Sequence, residues 1–74
     1  MAKYTVFIDC VTTKTYEIEA ESANAACEIA ERMIQDADFF EKYREDCEIM
    51  EPSVCDQVIN EHDGFVDRYQ EGGE

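Results

Sequence analysis

The residues of this chain best equipped for covalent or metal chemistry are four cysteines and a single histidine. Cys10, Cys27, Cys47 and Cys55 include no C-x-x-C pair, and the closest two in sequence, Cys47 and Cys55, have seven residues between them, so a structural zinc site has no local scaffold. His62 has no Gly-x-Ser-x-Gly or comparable nucleophile motif to act with. A reactive cysteine needs positive surroundings to form its thiolate, and the many acids here push its pKa the other way. Gly64, Gly72 and Gly73 fit neither a P-loop nor a dinucleotide fingerprint. If Gly64 took the sharp-turn position of a calcium loop, the first and twelfth ligand positions would fall on Ile59 and Gln70, and neither is a carboxylate. The sequence therefore predicts no enzyme, no cofactor and no metal.

Carboxylates are the remaining chemistry. Nineteen Asp and Glu against six Lys and Arg give a formal charge of −13 in 74 residues. So many acids produce close pairs by chance, and a pair alone carries no acid–base signal. Their distribution says more. Residues 1–16 hold Lys3 and Lys14 against Asp9, a net of +1, so residues 17–74 carry −14 from eighteen acids and four bases. Glu17, Glu19 and Glu21 fall on one side of a strand-like segment at intervals of about 6.6 Å, twice the rise per residue. Glu28, Glu31, Asp36, Asp38, Glu41 and Glu45 continue the negative surface, and these nine are the candidate partner-binding residues. Fixed carboxylates of this kind can enter a Lys/Arg-lined groove and displace the phosphates of a nucleic acid. Direct binding to DNA, RNA or an anionic membrane needs a positive surface and is disfavoured. A net charge magnitude of about 2–8 already suffices for solubility in a small domain, and salt adaptation is the competing explanation of the excess.

Positioning those residues requires a fold. Tyr4, Val6, Ile8 and Cys10 alternate with Lys3, Thr5, Phe7 and Asp9, which predicts a strand running to Val11. From Thr15 to Glu21, Tyr16, Ile18 and Ala20 share one face and the acids the other. The short link Thr12-Thr13-Lys14 favours an antiparallel hairpin. Ser22 is a natural N-cap, and Ala23, Ala26, Cys27, Ala30, Met33, Ile34 and Ala37 recur at helical spacing, predicting a helix over Ala23–Gln35. Asp38 caps a second short helix with Phe39, Phe40, Tyr43 and Cys47 inward, or a single helix bends near Ala37. Glu48-Ile49-Met50 is a candidate third strand ended by Pro52. Val54, Cys55, Val58, Ile59 and His62 match helix spacing, with Pro52-Ser53 as the start. Gly64 turns the chain, and Phe65, Val66 and Tyr69 pack back.

The expected fold class is α+β: an antiparallel β-hairpin, with or without a third strand, packed against an α-helix, followed by one or two short helices. Residues 1–70 form a single small acidic domain and 71–74 a frayed tail. Apolar residues at 45% and aromatics at 11% supply enough core to argue against disorder. Without an apolar leader or a membrane-length apolar run, the expectation is a cytoplasmic protein whose thiols stay reduced.

The stretch Lys3-Tyr4-Thr5-Val6 followed by Tyr16-Glu17-Ile18-Glu19-Ala20-Glu21-Ser22-Ala23-Asn24-Ala25-Ala26 resembles the small β-β-α domains of the DpnD/PcfM-like kind, carried by phages and conjugative elements. There a strand ending in Ala-Glu-Ser runs into a capped Ala-rich helix. Several anti-CRISPR inhibitors from phages are similar in size and in this arrangement. The resemblance covers roughly the first half of the chain and implies a mobile-element accessory protein with no catalytic residues to carry over. Together with the charge, it leads to the expectation of an acidic inhibitor acting as a DNA mimic on a basic nucleic-acid-binding protein of the host, with Tyr43, Phe39 or Phe65 as an anchor. The alternative is a small acidic adaptor that forms a homodimer through an apolar edge or face.

Overall fold

Alternation of β-branched and aromatic residues makes the first segment a strand with one buried side, and in the computed structural model, which describes residues 1–71, it forms the centre of the molecule. Strand β1 spans Ala2–Asp9 and β2 spans Lys14–Ala20, paired antiparallel with Val6 opposite Tyr16 and Tyr4 opposite Ile18. Tyr4, Val6 and Ile8 are buried on the inner face together with Ala20. Strand β1 stops two residues short of the expected Val11, which is exposed in the connection, and Thr13 donates a hydrogen bond to Asp9 there.

Helix α1, Ala23–Ile34, begins as the cap predicts: the Ser22 hydroxyl accepts from the Ala25 amide at 3.1 Å. Its buried face is Ala23, Ala26, Cys27 and Ala30, small side chains that let the helix lie close on the sheet. Two short helices follow, α2 over Ala37–Lys42 and α3 over Arg44–Ile49, separated by Tyr43 in a non-helical conformation. The cap of α2 is Asp36, not Asp38, whose backbone amide donates to the Asp36 carboxylate. Phe39 is buried and Tyr43 and Cys47 pack against the core, but Phe40 is exposed.

Two sequence-based assignments in the second half are corrected. Glu48 and Ile49 end helix α3, and Met50, expected with them in a strand, is its C-cap. The segment from Val54, expected to be helical, is strand β3, Ser53–Asn60, which pairs antiparallel with the free side of β1. A hairpin then leads to β4, Gly64–Asp67, and a final turn of helix α4, Arg68–Glu71. Asn60 closes the hairpin by accepting the amides of His62 and Asp63, and Gly64 takes the left-handed φ of 79°. The strand order is β2-β1-β3-β4, so the third strand exists, but it comes from a different segment and a fourth joins it. Val66 packs on the core, whereas Phe65 and Tyr69 are exposed rather than folded back. Of the expected frayed tail 71–74, Glu71 ends α4 and the others lie outside the described residues. No helix among the described residues is long and apolar enough to cross a membrane.

The architecture is α+β in two layers. The buried core cluster joins α1 to the inner side of β1 and to Val58 of β3. The short helices lie on that side too, because Tyr16 and Lys14 of β2 reach Tyr43 and Asp46. Helix α4 is drawn to α1 by Arg68. The other face of the sheet therefore carries no helix among the described residues.

Candidate functional site

The electrostatics of the surface begin with two cations that are not on it. Lys14 shares the parity of Tyr16, Ile18 and Ala20 along β2, so its side chain points inward, and only 8% of it is exposed. Its ammonium donates to the Asp46 carboxylate at 2.6 Å and to the carbonyl and hydroxyl of Thr12, and lies 4.6 Å from the Tyr43 ring centre. The hydrogen bond from Lys14, helped by one from Thr12, holds Asp46 below the usual carboxylate range, while Asp46 raises Lys14. Beside them, Tyr16 donates to the Tyr43 hydroxyl at 3.0 Å. Burial pushes Tyr16 up to about 12, and the bond that Tyr43 receives pulls it down.

Arg68 is the second interior cation, with its side chain 7% exposed. Its guanidinium donates to Asn24 at 3.0 Å and to Glu31 at 2.9 Å, with Asp56 at 3.9 Å. The Glu31 bond raises its pKa further. The sequence reading marked neither cation as interior: it placed Lys14 in the hairpin link, whereas β2 begins at Lys14 and carries it inward.

These two pairs tie up Lys14, Arg68, Asp46 and Glu31, leaving four of the six cations and seventeen of the nineteen carboxylates in the sequence to set the surface potential. Each pair is neutral, so the net charge stays at −13, while two of the six cations are taken off the surface.

The nine sequence-predicted carboxylates occupy two opposite sides of the molecule. Glu17 and Glu19 lie on the helix-free sheet face, opposite Thr5 and Lys3 in the register, while β2 ends before Glu21, which is exposed just beyond it. Glu28 is exposed on α1, and Asp36, Asp38, Glu41 and Glu45 are exposed around α2 and the start of α3. Glu31 is the exception, half-committed to Arg68. The row of three on the strand is thus a row of two, and no single flat surface spans the nine.

The residues suited to covalent chemistry are spread out. Cys10 and Cys27 are buried and donate to the carbonyls of Met50 and Cys55. Burial pushes the thiols of Cys27 and Cys47 upward, toward the neutral form. His62 projects from the β3–β4 turn with Glu61 at 3.9 Å. A shallow depression of about 410 Å³ lies along residues 41–46. A second, of about 220 Å³, lies between α1 and α2 beside Met33 and Phe39. No group of three or more His, Cys, Asp and Glu side chains among the described residues is arranged to hold a metal ion.

No protein family, curated protein or solved structure matches this chain.

Proposed function

We propose that this chain is a non-enzymatic acidic inhibitor, a DNA mimic that occupies a basic nucleic-acid-binding groove of a host defence complex. In keeping with the resemblance of its first half to phage and mobile-element domains, the leading target is a CRISPR effector and the setting is the host cytoplasm. One observation carries the reading: the two buried cations, Lys14 and Arg68, are each paired with a carboxylate, so they do not offset the other acids in a chain of net charge −13. A partner that grips phosphates by counterion release would bind such a surface in the same salt-dependent way.

The test is competition. A candidate effector is incubated with its guide-matched DNA and increasing amounts of this protein, and bound DNA is measured by mobility shift at low and high salt. Loss of bound DNA at low salt and its recovery at high salt supports the reading; normal DNA binding with the protein in excess removes that target. A second reading, a small acidic adaptor that dimerises without mimicry, draws on the exposure of Phe65 on the helix-free sheet face. Light scattering across the same salt range separates the two, because apolar association persists or strengthens as salt rises.

A further inference from the structure

The helix-free face of the sheet combines features that the charge count alone does not contain. The register aligns Glu17, Thr5, Ile59 and Phe65 in one row across all four strands. Phe7 lies on the same face of β1, beside the bulge that interrupts its pairing with β3. Phe7 and Ile59 are half-buried, and Phe65 is 70% exposed. This makes an apolar centre over β1, β3 and β4. Carboxylates flank it on both edge strands: Glu17 and Glu19 on β2, with Lys3 of β1 opposite Glu19, and on β4 the half-buried Asp67, whose carboxylate also accepts the Tyr69 amide at 2.8 Å. Three inter-strand spacings put those edges about 14 Å apart. An α-helix with its side chains is about 10–12 Å across.

We propose that this face docks a basic amphipathic helix of the partner. Its apolar stripe covers Phe7, Ile59 and Phe65, and Lys or Arg on its two flanks reach Glu17 and Glu19 on one side and Asp67 on the other. Charge complementarity selects this occupant. A second copy would bring the same carboxylates, and another −13, against its own. A nucleic acid strand would bring phosphates to them. Long basic side chains suit the geometry, since their methylene stems lie along apolar surface while the charged ends reach outward. The inference rests on the reading that the partner is basic, and adds which face grips it and through what element.

The probe is a synthetic lysine–leucine peptide of about 18 residues, long enough to be helical, with leucine at i, i+3, i+4 and i+7. Its control is an isomer of identical composition with the stripe permuted. Binding is measured by fluorescence anisotropy, and amide NMR shifts locate the contact. The striped peptide is expected to bind at least about tenfold tighter than its isomer. Phe65→Ser is expected to remove about tenfold of that affinity, as loss of an aromatic anchor does, because Phe65 is too exposed to be needed for folding. Glu48→Lys, exposed on α3 on the helix-bearing side, should change it by less than about threefold, as exposed rim charges do. Shifts should fall on the four strands of the sheet and not on α2 or α3. Equal binding of both peptides overturns this proposal while sparing the basic-partner reading; binding of neither overturns both. A dimer that Phe65→Ser dissociates gives the face to a second copy and equally overturns it.

Discussion

Making this protein less negative should make it more stable, by an amount that salt then erases. The perturbation is Glu17→Lys with Glu28→Lys: both side chains are exposed, lie in the middle of their elements and hold no ion pair among the described residues, and the double change leaves the chain four units less negative. A Cα radius of gyration of 12.4 Å sets typical separations between surface charges of about 16 Å, at which a like pair in water costs about 0.26 kcal/mol. Each unit of net charge therefore feels about 3 kcal/mol of repulsion from the other twelve before screening. The unfolded chain, roughly twice as expanded, feels about half as much. With Debye lengths of about 30 Å at 10 mM salt and 3 Å at 1 M, the double variant should gain about 3–5 kcal/mol at the lower salt and less than about 0.2 kcal/mol at the higher. Loss of the i,i+4 neighbour Arg32 for Glu28 subtracts only about 0.2–0.5 kcal/mol. Urea, which is uncharged, unfolds both proteins at the two salt concentrations, followed by circular dichroism. A variant that is no more stable than the parent at 10 mM salt would show that the crowded acids cost the fold nothing, and the argument that a partner must account for them would lose its foundation.

Three further outcomes follow from the core, the turn and the thiols. Ile8→Ala, at a fully buried position on the central strand, should cost about 2–5 kcal/mol in the same urea assay. Gly64→Ala should cost about 1–2 kcal/mol although an added Cβ would meet nothing within 4 Å, because the penalty lies in the left-handed backbone; a cost near zero would mean that the turn relaxes freely. Burial raises Cys27, an acid, above its ordinary 9.0, so folding favours its neutral form. Its contribution is fully present below pH 9.0 and is lost as pH rises through the higher folded value. The urea midpoint should therefore fall more steeply above pH 9.0 in the parent than in Cys27→Ala, and parallel curves would contradict this.

The first half of the molecule was legible because its signals are local. Alternation over Tyr4–Ile8 and Tyr16–Ala20 places side chains by a period of two, and the Ser22 cap fixes a helix start within three residues. The second half was not, because Val54, Val58 and Ile59 satisfy both a helical spacing and a strand. What decided between them is remote: β1 offers a second row of backbone donors and acceptors, and β3 fills it with a bulge opposite Phe7 that no periodicity announces. The β-branched residues and the Asn60…Asp63-Gly64 turn were the available hints of a hairpin. The acidic character could be counted from the chain alone, since charge is additive over residues. Where the charge sits could not: the interior ion pairs of Lys14 and Arg68 and the division of the carboxylates between two sides depend on which elements pack together. The apolar centre between two acidic edges arises only when four strands from both ends of the chain align in register.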